Sequence, residues 1–166
     1  MNIAIGSDGS GFDLKEAIKQ HLQEKGIDFK DFSPDRTKGL QYFDVVPIVA
    51  PLIQNGEFDY AILICGTGMG MAMIANSYKG IRAAVCESVY TVKMCRAINN
   101  SNVLTLGGFI QAPWLANIMV DTFLSTQITE AEGLEAYRDF LLDAQLKIKE
   151  LEEKIYLNDV VMTGRA

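Results

Sequence analysis

Phe58-Asp-Tyr-Ala-Ile-Leu-Ile-Cys65-Gly-Thr-Gly-Met-Gly70-Met-Ala-Met-Ile-Ala-Asn76 is the stretch from which the fold is read. An apolar run of strand length, Tyr60 to Cys65, meets three glycines at alternate positions and then a segment of helical character. Small residues between a buried strand and a helix leave backbone N–H groups aimed at one point, which suits an anion or a developing oxyanion. Cys65 stands at that point. A thiol beside a helix N-terminus is favoured as thiolate, so the residue can act as base or nucleophile. A plainer reading has Cys65 as a small apolar filler and the glycines as a means of turning the chain. The turn is neither Gly-x-Gly-x-x-Gly nor a P-loop, since the Lys-Ser/Thr pair is missing.

Outward from this stretch the pattern repeats. Strand-length apolar runs recur at Ile3 to Gly6, Ile27 to Phe32, Ile81 to Cys86 and Val103 to Gly107. Longer segments with helical spacing follow the five runs: Asp13 to Lys25, Asp44 to Asn55, Met69 to Tyr78, Val89 to Ile98 and Pro113 to Thr126. Asp44 reads as an N-cap and Pro113 as a first-turn residue. Five βα units predict an α/β fold: a five-stranded parallel sheet with helices on both faces. Such sheets bind ligands at the carboxyl ends of their strands. That aligns Gly6-Ser-Asp8, Cys65-Gly-Thr67 and Gly107-Gly108 along one edge.

The remainder, Glu130 to Tyr156, reads as a long amphipathic helix with Leu134, Phe140, Leu141, Leu142, Leu146, Ile148, Leu151 and Ile155 on its apolar side. The βα core is complete without it, so it reads as an arm over a neighbouring subunit, with packing on its own domain as the alternative. Val160 to Ala166 reads as a loose end.

Composition narrows the function classes. The 166 residues, 49% hydrophobic with 4 prolines, fit one compact domain. A net charge of −6 with no cluster of Lys or Arg argues against a nucleic-acid surface. The strand-like start, Asn2 to Gly6, is neither a signal peptide nor a membrane segment, and the cytoplasm is the expected location. Cys65, Cys86 and Cys95 are odd in number, lack metal-like spacing and have no histidine nearby, so neither a disulfide framework nor a metal site is expected. The single histidine, His21, falls among Lys19, Gln20 and Gln23 and reads as a surface residue.

Four segments together resemble the ribose-5-phosphate isomerase B and galactose-6-phosphate isomerase family: Ile5-Gly-Ser-Asp8, Cys65-Gly-Thr-Gly-Met-Gly70, Gly80-Ile-Arg-Ala-Ala84 and Asn99-Asn-Ser-Asn102-Val-Leu. Their order and spacing hold from Met1 to about Thr126. The resemblance implies a Rossmann-like core, a dimer with composite active sites, and aldose–ketose isomerisation of a phosphorylated sugar with neither metal nor cofactor. It implies Cys65 as the base that moves a carbon-bound proton and Thr67 as its helper. The Gly66, Gly68, Met69 and Gly70 segment would hold the enediolate oxygen. Asp8 and its neighbour Gly9, Tyr42 and Asn99 would meet the sugar. Taken singly, Asp8 can also cap the first helix, Thr67 and Asn99 can satisfy turns, and Tyr42 and Met69 can simply pack.

Departures from the family pattern carry their own information. Gly9 stands where the family has the histidine of Asp-His, and Ile98 stands where it has the histidine that opens the sugar ring. The phosphate-binding Gly-Gly-Arg-His-x-x-Arg segment is Glu132-Gly-Leu-Glu-Ala-Tyr-Arg138, leaving Arg138 as the candidate phosphate anchor. Three readings fit. An open-chain substrate, such as a tetrose or keto-sugar phosphate, needs no ring opening. A homodimer or higher homo-oligomer gives way to a heteromer if a related subunit donates the missing groups. A non-catalytic sugar-phosphate-binding paralogue keeps the pocket alone. A nucleotide-binding module would need an acidic residue about 20 positions beyond the glycines, and Glu87 matches that poorly.

Overall fold

The computed structural model describes residues 1–162 of the chain. Five strands form one parallel sheet: β1 (Ile3–Ser7), β2 (Phe29–Asp31), β3 (Tyr60–Cys65), β4 (Ala83–Val85) and β5 (Val103–Gly107). Their order across the sheet is β2-β1-β3-β5-β4. β3 and β5 are the expected apolar runs, β1 continues one residue past its own to Ser7, and β1 and β5 are buried at every residue because helices cover both faces. The edge strands are shorter than their apolar runs, three residues each, because each has a ladder partner on one side only.

Helices α1 (Phe12–Glu24), α4 (Val89–Ala97) and α5 (Pro113–Ser125) lie on one face, and α2 (Tyr42–Gln54) and α3 (Met69–Ala75) on the other. Ile18, Leu22, Met119 and Phe123 fill the first layer against Ile5, Ile62 and Leu104. Val45, Val49, Met71 and Ala75 fill the second against Ala4, Ala61 and Leu63. Pro113 takes the first turn of α5, as expected. Asp44 is not the N-cap of α2. The helix starts earlier, with Gln41 in that place, and Asp44 reaches back to accept the Gln41 N–H at 2.9 Å.

The C-terminal helix α6 runs over Arg138–Met162, where the sequence pattern placed it over 130–156. Thr129 at φ 66° and Gly133 at φ 84° break the earlier stretch, which ends in a 3-10 turn at Glu135–Tyr137. The expected loose end from Val160 is helical as far as Met162, and its last residues, 163–166, lie outside the described part. α6 crosses the edge of the sheet at which the strands begin. Gln145 donates to the Ile98 carbonyl at 3.1 Å, Lys79 pairs with Glu153 at 2.6 Å, and the Gly80 N–H meets Glu152 at 2.6 Å. No helix among the described residues is long and apolar enough to cross a membrane.

His21 is more than a surface residue: its ring lies 2.9 Å from Asp121 and, with Lys25, ties α1 to α5. A cavity of about 370 Å³ lies under α6, lined by Arg82, Cys95, Asn99 and Ser101 among others.

Candidate active site

The three turns expected to align do meet at the carboxyl edge. Register places Ser7 beside Ile64 and Cys65 beside Gly107. Beyond the ladder, the Asp8 N–H reaches the Ile64 carbonyl at 3.2 Å, Gly108 reaches that of Cys65 at 2.7 Å, and Phe109 that of Gly66 at 3.0 Å. Glycine is required for this closeness. A Cβ on Gly107 would sit 2.9 Å from the Thr67 Cα, and one on Gly11 2.5 Å from the Ile64 oxygen. Gly68 is in the left-handed region at φ 80° and packs on the backbone of Leu106.

Cys65 ends β3 with 5% of its surface exposed, and its Sγ accepts the Gly68 N–H at 3.1 Å. The loop therefore folds back onto the sulfur and fixes its direction. Met69 N–H turns to the hydroxyl of Thr67, itself exposed, at 3.3 Å. Two aromatic rings wall the loop. The Tyr42 ring lies against Gly70, where a Cβ would come within 2.8 Å, and the Phe109 ring against Gly66, within 2.7 Å. Met69 is half exposed at the rim.

Asp8 is buried, and its Oδ1 accepts the Ser10 and Gly11 N–H groups at 2.9 and 3.0 Å. It thus ties the turn into α1, one residue beyond β1, the strand that pairs with β3. Gly9 is exposed, with open space where a side chain would be.

Asn99 and Arg138 are not brought to this place. Asn99 follows α4 and precedes β5, so it lies at the opposite edge of the sheet, about 16 Å along a five-residue strand from Cys65. The turn after it is held by Arg96, whose buried guanidinium binds Asn100 Oδ1 at 3.0 Å and Tyr60 OH at 2.8 Å, with Asn100 at φ 51°. Arg138 opens α6 on that same side, exposed, with no ion pair among the described residues. Asn102 has a different task. Its side chain accepts the Arg82 N–H at 2.8 Å and donates to the Gly80 carbonyl at 2.8 Å, which holds the Gly80-Ile-Arg segment against β5.

The sequence reading passed over Phe109 and Arg36. The first follows the Gly107-Gly108 pair directly, a position that adjoins the cysteine loop once β5 pairs with β3. Arg36 opens a short 3-10 turn, Arg36–Lys38, and only folding brings its Nη2 within 3.5 Å of the Gly9 carbonyl.

Two titrating clusters lie apart from the loop. Cys86 and Cys95 sit with sulfurs 3.8 Å apart. The hydrogen bond between them pushes the Cys86 thiol up and the Cys95 thiol down. Beside α1, burial opposes ionisation of Asp31, but hydrogen bonds from Lys19, Lys15 and the Ser33 amide outweigh it and hold the carboxyl below the usual carboxylate range.

Comparison with known proteins agrees with this fold. The ribose/galactose isomerase family model matches residues 3–138. The chain is 49% identical over 160 residues to a 4-deoxy-4-sulfo-D-erythrose isomerase from Clostridium sp. (strain MSTE9), covering 94% of this chain and 98% of that protein. It is 39% identical over 128 residues to a D-erythrulose-4-phosphate isomerase from Pectobacterium atrosepticum, covering 76% and 84%. The solved ribose-5-phosphate isomerase B of Clostridium thermocellum superposes with a TM-score of 0.83 at 36% identity, over 93% of this chain and 99% of that one. The chain belongs to the ribose/galactose isomerase family, and it is an isomerase.

Proposed function

We propose that the protein interconverts the aldose and ketose forms of an open-chain, four-carbon sugar carrying an anion on C4, either a sulfonate or a phosphate ester. The observation that carries this reading is Ile98 beside Asn99, where a ring-opening histidine is expected. With C4 carrying the anion, no free hydroxyl remains there to close a five-membered ring, so the substrate has nothing to open. The activities of two relatives, on a sulfo-erythrose and on erythrulose 4-phosphate, support the same chain length.

Cys65 Sγ removes the proton from C2 of the aldose and returns it to C1, passing through an enediolate. Gly68 and Met69 N–H are engaged by the Cys65 sulfur and the Thr67 hydroxyl, which leaves the N–H groups of Gly66, Thr67 and Gly70 to hold the oxyanion. Thr67 carries a hydroxyl proton between O1 and O2. Asp8 accepts from the sugar hydroxyls, and Tyr42 closes one side. Asn99 and Arg138 come from a second copy, giving a homodimer with composite sites. The exposed apolar residues of α6, Phe140, Leu146 and Leu151 among them, support its role as the arm between subunits. All three cysteines are free thiols, in keeping with a reducing cytoplasm.

The test is proton exchange. In D₂O the protein should label C1 or C2 of 4-deoxy-4-sulfo-D-erythrose or D-erythrulose 4-phosphate, and should label ribose 5-phosphate, a ring-forming sugar, at least tenfold more slowly. Binding without label in any sugar would favour a non-catalytic paralogue and end the isomerase mechanism.

A further inference from the structure

Two of the three free thiols take no part in the chemistry at Cys65. Cys86, just past β4, is 2% exposed and Cys95, on α4, is 8% exposed. Their sulfurs lie 3.8 Å apart, with the Cys86 thiol donating to Cys95. Both belong to the layer beneath α4 and α5, whereas Cys65 belongs to the opposite layer, so the sheet separates it from them. A disulfide sets its sulfurs at about 2.05 Å, and this pair has to close by about 1.8 Å, which rotation about the two Cα–Cβ bonds supplies.

The two thiols are not equivalent. Cys95 lines the cavity of about 370 Å³ under α6, and Cys86 does not. The bond from Cys86 lowers the Cys95 thiol; burial opposes this, and the Ser101 hydroxyl and the Arg96 charge assist it. Giving that bond and being buried push the Cys86 thiol up. As a thiol, Cys95 turns its proton to the Val92 carbonyl, 3.2 Å away. Thiolate is the reactive form of cysteine, so Cys95 is the attacking sulfur and Cys86 the resolving one. The cavity also presents Asn99, Ser101 and Arg82, whose Nε is buried with no hydrogen-bond partner among the described residues. Groups of this kind hold a small oxygen-rich reagent and stabilise the oxygen it loses.

We propose that Cys86 and Cys95 form a reversible modification site for a small hydroperoxide, and that the disulfide between them slows the isomerase. Cys95 Sγ attacks one peroxide oxygen. The S–O bond forms, the O–O bond breaks, and the leaving oxygen takes the proton given up by Cys95 and departs as water or an alcohol. Cys86 Sγ then attacks the sulfenic sulfur of Cys95. The S–S bond forms, the S–O bond breaks, and the hydroxide leaves as water with the Cys86 proton. The two sulfurs together lose two electrons, and the peroxide gains them. A small thiol restores the pair by exchange.

The new bond acts on both halves of the proposed site. The Cys86 carbonyl accepts the Gln111 amide at 3.2 Å, and Gln111 in turn accepts the N–H of Gly107, whose backbone packs on Thr67, at 2.6 Å. The Cys95 carbonyl accepts the Ser101 N–H at 3.0 Å, across the turn that carries Asn99. Closing the sulfurs moves these anchors against each other, and a misplacement of about 1 Å is enough to slow turnover.

Peptide mapping of the full chain after one equivalent of hydrogen peroxide, and again after dithiothreitol, tests the site. The wild type should lose two of its three free thiols and yield a linked Cys86–Cys95 peptide with Cys65 still free, and dithiothreitol should return all three. Cys86→Ala should hold Cys95 as a sulfenic acid that dimedone labels, and Cys95→Ala should leave Cys86 unlabelled. Deuterium exchange into D-erythrulose 4-phosphate and 4-deoxy-4-sulfo-D-erythrose should fall about tenfold in the oxidised wild type, recover with dithiothreitol, and stay level in peroxide-treated Cys95→Ala. A linked peptide that never forms, or label on Cys86 in place of Cys95, overturns the assignment. A linked peptide with unaltered exchange, or an equal loss of exchange in Cys95→Ala, overturns the control of turnover. A reduced wild type that labels neither sugar overturns the tetrose reading, while the mapping still decides the site.

Discussion

At the scale of single residues, the cysteine loop divides into positions that do chemistry and positions that allow it. Cys65→Ala should abolish deuterium exchange, by at least 10²- to 10⁴-fold as expected for loss of a general base, while a titration still detects sugar binding. Retained exchange in that variant would remove Cys65 from the mechanism. The glycines around it should differ from one another. At Gly66 the nearest atoms to an added Cβ all belong to the Phe109 ring, which is 77% exposed and can swing outward, so Gly66→Ala should melt close to wild type. At Gly68 it meets the Leu106 backbone at 3.0 Å, in a left-handed conformation, and neither can give way. Gly68→Ala should cost about 1–3 kcal/mol in chemical denaturation and also displace the N–H that holds the Cys65 sulfur. Equal stability of the two variants would contradict this account. The sequence named the loop because strand, cysteine and glycines are contiguous. It could not rank the glycines, since the atoms that discriminate them belong to α2, β5 and the turn after β5.

At the scale of elements, the charged cluster beside α1 does the most to anchor an edge strand. Lys15 is fully buried, with its Nζ 2.9 Å from Asp31 on β2 and also bonded to Ser33, while Lys19 reaches Asp31 at 2.7 Å. Asp31→Asn leaves the buried Lys15 ammonium with only the half-exposed Glu16, 3.2 Å away, as counter-charge and should cost about 1.5–3 kcal/mol at neutral pH. In the wild type the carboxyl is held below its ordinary value by Lys19, Lys15 and the Ser33 amide against the opposing effect of burial. Its contribution is thus complete above about pH 4 and is lost as pH falls through the lowered folded-state value. Asp121, lowered by Lys25 and His21 against burial, acts in the same direction. Urea unfolding from pH 7 down to pH 2 should show a falling stability that flattens in Asp31→Asn, and a variant as stable as wild type at pH 7 would refute the account. The same elements show what was legible. The inner strands β3 and β5 are read to the residue because they are apolar throughout and flanked by turn residues. The edge strands and the start of α6 were misjudged, since hydrophobic runs continue where the ladder or the helix stops. Thr129 in a left-handed conformation is not announced by its residue type.

At the scale of the whole molecule, the protomer splits the expected site between opposite edges of its sheet: Cys65, Thr67, Asp8 and Tyr42 at one, Asn99 and Arg138 at the other. The sequence supplied both sets through the family motifs but held no signal of their separation, which follows from β5 running parallel to β3 with Asn99 before its first residue. No hinge within a five-stranded sheet can close such a gap, so a functional Asn99 must act on another copy's thiol. The exposed apolar surface of α6, and Trp114 and Tyr90 exposed on the core, are the surfaces available to hold such a copy. If the assembly is a homodimer, two inactive variants can complement. Cys65→Ala damages the thiol half of each site and Asn99→Ala the other half. Unfolded together and refolded, they form mixed dimers as about half of the population, each with one intact site, so activity should return to about a quarter of wild type. The exchange assay on each variant alone gives the baseline, and light scattering gives the mass. Activity that never exceeds the baseline, in a mixture shown to contain mixed dimers, would place Asn99 outside the site. A chain that is inactive by itself and gains exchange only with a related subunit would replace the homodimer by a heteromer, with Cys65 and Thr67 as this chain's share.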